Sequence, residues 1–310
     1  MVGMPASQKR STVEDLLVTV GLFLAATAAA FAHPGSGIGV DAQGQIYFVD
    51  TGQGVWKLDS HGKLTLIHTL AFHWMALDKK GDFAKSQALG DFDNGSFERI
   101  TPAGFVPALI ISSDYPVAVG QDGGLYYVPY NNTGRRELVR RMANGQRTVF
   151  AALPTAASPK PMLWVNGIAA DADGSLYITD NDAVRKIDRN GTVSTFRDAI
   201  QVADCADPLP DAPQLPYLRG LAVARDGTIY AAANACRAVI AIAAEGPIET
   251  VLKADPPWSP TGIATSGREV YVLEYLHTPG DNRKEWIPRV RKISADGSIT
   301  TLATVERQKN

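Results

Sequence analysis

The stretch GLAVARDGTIY, residues 220–230, has the pattern of two short strands joined by a tight turn. Its apolar start, the Asp226-Gly227 pair and the Thr-Ile-Tyr end are typical of a β-hairpin, because glycine adopts positive φ without steric cost. Similar stretches are GIGVDAQGQIY at 37–47, GIAADADGSLY at 167–177 and GIATSGREVY at 262–271, with weaker copies starting at Trp74 and Pro116. Six copies of one hairpin predict a repeat protein.

A second glycine turn follows each hairpin. The first-turn glycines are Gly44, Gly81, Gly123, Gly174, Gly227 and Gly267, and the second-turn glycines are Gly62, Gly104, Gly145, Gly191, Gly246 and Gly297. We expect two-residue hairpin turns, as at Asp173-Gly174, Asp226-Gly227 and Asn144-Gly145. Four strands in each of six units predict an all-β fold: a six-bladed β-propeller of four-stranded antiparallel blades, with no strand exchanged between the first and last blades.

Composition excludes several classes of protein. The chain has 310 residues, of which 45% are hydrophobic and 20% charged, so it is not a disordered chain. Its formal net charge of -2 disfavours a nucleic-acid partner, because no overall field attracts a polyanion. No phosphate-binding glycine loop is present, and no nucleotide cofactor is expected. The Gly-x-Ser-x-Gly, His-Glu-x-x-His and Cys-x-x-Cys motifs are also absent from the sequence.

Residues 1–32 have the features of an export signal. Lys9 and Arg10 precede an apolar run that ends in Ala30-Phe31-Ala32, a small-x-small cleavage pattern. Cleavage leaves residues 33–310 as a periplasmic or secreted domain. The alternative is an uncleaved membrane anchor, for which the apolar run is just long enough. No later segment resembles a membrane span.

Cys205 and Cys236 are the only cysteines. An oxidising compartment outside the cytoplasm favours their pairing as a disulfide. Two separate buried thiols are the alternative.

The repeats resemble a known family of propellers. The stretch at 220–230 and the segment VRKID at 184–188 with Gly191 are similar to NHL repeats, and residues 33–310 resemble the six-bladed NHL and gluconolactonase-like (TolB-like) propellers. That superfamily includes calcium-dependent lactonases, a zinc-dependent amidating lyase, streptogramin lyases and pure binding modules. The resemblance therefore implies the architecture and leaves the activity open.

One face of the predicted propeller carries the long loops. In a meander, the connection from the second to the third strand and the links between blades lie opposite the glycine turns. Polar residues at the starts of first strands and at the ends of second strands surround the channel on this face. At the first strands these are His33, His73, Asp114, Asn166, Arg219 and Thr261, and at the second strands Asp50, Asn131, Asp180, Asn234 and Glu274.

A metal site formed by these polar residues around the channel is the most specific chemical hypothesis. Imidazoles of His33, His73 and His277 suit Zn²⁺, whereas amide and carboxylate oxygens suit Ca²⁺. The gluconolactonase-like resemblance nominates Asn166 and Asp180 as ligands. His33 stands at the start of the first blade, where that family has a ligand glutamate. The alternative is that these are solvated rim side chains.

We expect a monomeric protein that binds a small molecule or short peptide over the channel mouth. The candidate ligand-binding residues are His73, Trp74, Asn166, Asp180 and Asn234. Trp74 stacks on a ligand or, more simply, packs between blades. The alternative function is a metal-dependent hydrolase or lyase on the same face, with catalytic roles for Arg219 and Glu274. For Arg219, an ion pair with Asp204, Asp207 or Glu274 is the simpler interpretation.

Overall fold

The computed structural model describes most of the chain from Pro34 onward. The described residues are 34–84, 97–101, 108–113, 115–129, 136–155, 158, 162, 165–205, 208–209, 212, 215–276 and 285–306. All of them belong to one compact unit, Pro34–Asn310. The expected export segment, residues 1–32, lies outside the described part. Within that part, no helix has the length and apolar character needed to span a membrane.

The described strands form six antiparallel sheets. The first blade holds β1 (Ile38–Val40), β2 (Ile46–Asp50), β3 (Gly54–Leu58) and β4 (Leu64–His68), and the second holds β5 (Trp74–Asp78), β6 (Phe97–Ile100) and β7 (Ala108–Ser112). The third holds β8 (Val117–Val119), β9 (Leu125–Tyr127), β10 (Arg136–Arg141) and β11 (Arg147–Leu153), and the fourth β12 (Gly167–Ala170), β13 (Leu176–Asp180), β14 (Ala183–Ile187) and β15 (Val193–Arg197). The fifth holds β16 (Leu218–Val223), β17 (Ile229–Ala233), β18 (Ala238–Ile242) and β19 (Glu249–Lys253), and the sixth β20 (Trp258–Ser266), β21 (Glu269–Leu276), β22 (Pro288–Ile293) and β23 (Ile299–Thr304).

The six sheets close into a ring around a central channel. Their innermost strands are neighbours in the order β1, β5, β8, β12, β16, β20 and back to β1. Each sheet is built from strands that are consecutive in the chain, so the first and last blades share no strand among those that the structure describes. The predicted six-bladed β-propeller is confirmed.

The second blade departs from the repeat pattern. Its innermost strand β5 pairs with β7, as in Trp74 with Ser112, and β6 lies outside β7. The expectation that β5 pairs with a strand directly after the Gly81 turn is therefore wrong for this blade. The Asp78 carboxylate accepts the backbone N–H groups of Gly81 and Phe83, and Phe83 is buried, which holds this segment as a turn.

The glycine turns confirm the predicted positions. The expected two-residue type is present at Gly267-Arg268, which joins the paired residues Ser266 and Glu269, whereas most of the other turns differ in type. Every predicted turn glycine has positive φ except Gly104, which lies outside the described residues. At the first turn, Asp41 N–H donates to the Gln45 carbonyl at 3.0 Å and Gly44 N–H to the Asp41 carbonyl at 3.1 Å, and only Gly44 is left-handed, with φ +76. Three residues, and not the expected two, thus connect the strands. This is a type I turn followed by a left-handed residue, whose twist matches that of the strands.

Glycines at the starts of the repeats allow the inner strands to approach one another. A Cβ on Gly220 would lie 2.7 Å from the Thr261 carbonyl oxygen, and one on Gly262 would lie 2.3 Å from that of Ser36. These distances are shorter than a normal contact, so side chains are excluded where neighbouring blades meet. Trp74 and Pro116 stand at the corresponding positions of the second and third blades.

Candidate functional site

A small cavity lies in the channel at the level where the inner strands begin, which is the loop-bearing face. Its volume is about 70 Å³, and its wall includes Ser36, Trp74, Gly167 and Gly220. We call it the throat. The Ser36 hydroxyl is buried there and has no hydrogen-bond partner among the described residues. A buried hydroxyl that can still donate and accept hydrogen bonds favours the binding of a polar ligand group.

Arg219 directly precedes Gly220 of the throat wall and has almost no exposed surface. Its Nη2 donates to the Pro34 carbonyl at 2.6 Å, and its guanidinium carbon is 6.0 Å from the centroid of the Trp74 ring. Burial lowers the pKa of Arg219, whereas Tyr217 and Tyr275 raise it. The fold therefore places a cation next to an aromatic ring at the narrow part of the channel.

Trp74 is mainly a packing residue between the second and third blades. It is 8% exposed and belongs to a core cluster with Phe97, Tyr115 and Tyr127. Trp74 also belongs to the wall of the throat. The structure thus gives Trp74 the simpler of its two expected roles and leaves part of it available at the cavity.

Glu274 is fully buried in the sixth blade. Arg289 Nε donates to its Oε2, and Arg291 Nη1 lies 3.6 Å from its Oε1. Arg289 in turn lies over the Trp258 ring at 4.0 Å. Burial raises the pKa of Glu274, and the two arginines lower it. This carboxylate, one of the acids expected to pair with Arg219, pairs instead with the neighbouring strand β22.

Asn166 and Asn234 each bridge two blades. Asn166 Nδ2 donates to the Leu218 carbonyl at 2.9 Å. Asn234 Nδ2 donates to the Ser259 hydroxyl at 2.9 Å, and that hydroxyl donates back to the Asn234 carbonyl at 2.6 Å. Both amides therefore satisfy polar groups where blades meet.

Asp180 and His73 also have partners of their own. Asp180 Oδ2 lies 3.7 Å from Arg185 Nη2, and both residues are buried. His73 Nδ1 lies 2.7 Å from the Ser113 carbonyl oxygen, and the His73 carbonyl accepts the N–H groups of Ser36 and Gly37. The rim of the channel is thus built from bonds that hold neighbouring segments together.

The proposed metal ligands are not grouped in the described part of the chain. Among those residues, no three His, Cys, Asp or Glu side chains lie together as they would around a metal ion. The Asp180 carboxylate forms an ion pair with Arg185. His33 and His277 lie outside the described residues, so the histidine set stays a prediction.

The expected disulfide is confirmed. Cys205 and Cys236 are joined with a Cα–Cα distance of 4.8 Å. Cys236 ends a short 3-10 turn, Asn234–Cys236, directly after β17. Lys253 Nζ donates to the carbonyls of Asp204 and Cys236, which adds a second tie across the bridge. The link preceding the fifth blade is thereby attached to that blade on the loop-bearing face.

The sequence interpretation missed Ser36. One position before the first residue of each repeat stand Ser36, His73, Tyr115, Asn166, Arg219 and Thr261. Counted in this way, Ser36 and Tyr115 are the equivalents in the first and third blades, where His33 and Asp114 were expected. The spacing to the repeat starts was the signal that could have found them, because equivalent positions of a propeller lie at one level of the channel.

Comparisons with known proteins give solved structures of the same fold. No protein-family profile matches the sequence, and no curated protein sequence matches it. A protein of unknown function from Bacteroides thetaiotaomicron is similar with a TM-score of 0.55 and 14% identity, over 86% of this chain and 71% of that chain. Regucalcin from Agrobacterium tumefaciens has a TM-score of 0.51 and 16% identity, over 81% of this chain and 85% of that chain. A luciferin-regenerating enzyme has a TM-score of 0.51 and 15% identity, over 84% and 92%.

These similarities show the propeller fold alone. At such identities they do not distinguish the NHL, TolB and gluconolactonase-like groups that the sequence resembles. Activity therefore has to be argued from the residues at the throat.

Proposed function

We propose that this protein binds a small molecule or short peptide that carries an anionic group, at the throat on the loop-bearing face. Arg219 interacts with the anion, Ser36 adds a hydrogen bond, and the edge of Trp74 contacts the body of the ligand. One observation carries the proposal: the buried guanidinium of Arg219 lies 6.0 Å from the ring of Trp74, and Trp74 lines the same cavity as the buried Ser36 hydroxyl, which has no hydrogen-bond partner among the described residues. Such groups are stabilised by a ligand that supplies matching charge and hydrogen bonds.

We also propose that the protein acts outside the cytoplasm as a monomer. The Cys205–Cys236 disulfide supports this location, because such bonds persist in oxidising compartments. The export features of residues 1–32 agree with it.

A metal-dependent hydrolase or lyase on the same face is the second candidate. The observation that favours it is the similarity in fold to regucalcin, which is described as a calcium-binding protein. The described rim residues do not fit a metal in their present arrangement, since Asp180 pairs with Arg185 and Glu274 with Arg289 and Arg291. A metal site would therefore depend on His33 and His277.

Thermal unfolding with a matched pair of peptides tests the proposal. The probes are N-acetyl-trialanine with a free carboxylate and the same peptide as its C-terminal amide. At a concentration of 100 times Kd, a bound ligand adds about 2.7 kcal/mol to the free energy of unfolding. We expect the carboxylate peptide to raise the Tm and the amide to leave it unchanged.

Two variants make this test specific. Arg219→Lys keeps the charge but loses the planar fork, and we expect it to weaken the response to the carboxylate peptide. Arg147→Gln, an exposed arginine on β11, serves as the control and should respond like the parent protein. Equal shifts with both peptides would contradict the anion-binding role. Stoichiometric metal in the purified protein, with a Tm that falls on adding a chelator, would favour the enzyme alternative.

A further inference from the structure

The channel widens at its other end, on the face of the first glycine turns. A cavity of about 930 Å³ lies there, lined along the inner strands by Ile38, Val40, Leu77, Leu221, Val223 and Ile263. We call it the lower chamber. Cavities of this size with mostly apolar walls are typical of sites for small organic ligands. No residue of the throat chemistry described above, neither Ser36 nor Arg219, belongs to its wall.

An apolar level separates the lower chamber from the throat. Ile38, Leu221 and Ile263 line both cavities and come from the first, fifth and sixth blades. From Ile38 to Asp41 the first blade advances three residues, about 10 Å at the rise of a β-strand. The lower chamber is therefore a short pocket with an apolar floor and an open, polar rim.

Two cationic side chains lie at the rim of the lower chamber. Lys79 follows β5 and Arg225 follows β16, so they stand on opposite blades, and both are exposed. Neither side chain forms an ion pair or hydrogen bond among the described residues. The two acids of the rim are turned to their own loops: Asp41 Oδ1 accepts the N–H groups of Gln43 and Gln45 at 2.9 and 2.8 Å, and Asp171 Oδ1 accepts that of Ala172 at 2.6 Å.

We propose that the lower chamber is a second binding site, for an amphiphile with an unbranched alkyl chain and one anionic headgroup. The chain lies against the apolar wall and ends at the level of Ile38, Leu221 and Ile263. The headgroup remains at the rim, where Lys79 and Arg225 reach it from opposite sides. Removal of apolar surface from water supplies the attraction for the chain, and the two cations select an anion over a neutral head.

Calorimetric titration of the full chain with octanoate and with 1-octanol tests this site. Both probes carry the same chain length, and only octanoate carries the charge. In Arg219→Lys, which weakens the anion contact at the throat, we expect one octanoate bound per chain and about tenfold weaker binding of 1-octanol, which corresponds to about 1.4 kcal/mol. Combining Lys79→Ala with Arg225→Ala should reduce octanoate affinity to that of 1-octanol. Combining Lys63→Ala with Arg147→Ala, two exposed cations away from the chamber, should leave it unchanged.

A second pair of variants tests the location. Gly39 lines the chamber on β1, and a Cβ placed there meets nothing closer than Leu77 Cβ at 3.5 Å. We expect Gly39→Phe to fill the chamber and abolish octanoate binding, and Gly39→Ala to retain it. Arg219→Lys should also retain it, because Arg219 lies beyond the apolar level.

Three results would overturn the proposal. They are the absence of octanoate binding, equal affinity for octanoate and 1-octanol, and an unchanged octanoate affinity when both Lys79 and Arg225 are replaced. The last measurement uses exposed positions only, so it remains decisive if Gly39→Phe fails to fold.

Discussion

At the scale of single residues, the packing of the blades depends on a missing side chain at one position and on a buried charge at another. Gly262 matters because it has no Cβ, and the carbonyl of Ser36 in the first blade occupies that space. Glu274 matters because its charge is removed from water and balanced by Arg289 and Arg291. Each residue was visible in the sequence, as a repeat position and as a rim acid, but its role follows from its neighbours.

Gly262→Ala should destabilise the fold. The added Cβ would lie 2.3 Å from the Ser36 carbonyl oxygen, which is backbone and cannot rotate away. We expect the free energy of unfolding in urea to fall by about 2–3 kcal/mol, as for other overpacked sites. Gly39→Ala is the control, since its nearest contact is 3.5 Å, and should change stability by less than about 0.5 kcal/mol. Similar effects of the two substitutions would refute the close approach of blades at Gly262.

Glu274→Gln should lower the free energy of unfolding, because Glu274 has a structural role in the sixth blade. The variant leaves two arginines of β22 without their buried counter-charge, at a cost of about 3 kcal/mol. Glu269→Gln provides a matched control on the same strand, because its pair with Lys292 at 3.6 Å is partly exposed and contributes at most about 1 kcal/mol. Denaturant titration of both variants measures the difference. If Glu274→Gln unfolds like the parent protein, the ion pairs are not structural.

At the scale of elements, aspartates recur in the glycine turns as bond acceptors. Asp59 Oδ1 accepts the N–H groups of His61 and Lys63, and Asp188 Oδ1 accepts those of Asn190 and Thr192. The spacing Asp-x-x-Gly-x is readable in the sequence, and it marks these turns as firmly as glycine does. The sequence interpretation used the glycines and the Asp or Asn directly before some of them, but not the aspartate three residues before the glycine.

These turns should make the fold sensitive to acid. The backbone N–H of Lys63 lowers the pKa of Asp59 below its ordinary value of 3.8, and that of Thr192 does the same for Asp188. A lowered folded pKa contributes stability above 3.8 that is lost as the pH falls through the folded value. Combining Asp59→Asn with Asp188→Asn keeps an acceptor but removes the charge, so the decline of Tm below pH 4 should become shallower.

The control for the acid experiment is Asp255→Asn, which changes the same charge on an exposed aspartate outside the glycine turns. Its Tm should follow the pH profile of the parent protein. A double turn variant with an unaltered acid profile would contradict the role of the two carboxylates.

At the scale of the whole molecule, closure of the ring depends on bonds between its first and last blades. Tyr275 in β21 donates its hydroxyl to the Val49 carbonyl at 2.7 Å, and Thr261 in β20 donates to the Gly35 carbonyl at 2.7 Å. Burial raises the pKa of Tyr275, so the hydroxyl stays protonated and remains a donor at neutral pH. No exchanged strand reinforces this junction among the described strands.

Tyr275→Phe should therefore weaken closure. The substitution removes the buried hydrogen bond from the Tyr275 hydroxyl to the Val49 carbonyl. We expect the free energy of unfolding to fall by about 1–3 kcal/mol. Tyr271→Phe, on the same strand but half-buried, should change the free energy of unfolding by less than about 0.5 kcal/mol. Urea denaturation of both proteins measures the contrast, and equal stability of the two variants would show that the junction does not rely on this bond.

The sequence by itself determined the repeat number, the turn positions, the disulfide and the polar character of the rim. These features follow from simple rules: strands have a period of two, tight turns need a left-handed residue, and cysteines tend to pair where the compartment is oxidising. Gly227 could therefore be assigned to its turn from the sequence pattern alone, whereas the sequence favoured the Cys205–Cys236 bridge over two separate thiols and the structure confirms it.

Only the tertiary structure decided which rim residues hold the blades together and which face a cavity. The partners of Asn166, Arg219 and Tyr275 lie 52, 185 and 226 residues away along the chain, so no local pattern encodes them. The burial of Glu274, the strand order of the second blade and the lower chamber likewise depend on how whole blades pack. Packing is a property of the closed ring, because each inner strand meets its neighbours only when all six blades are in place.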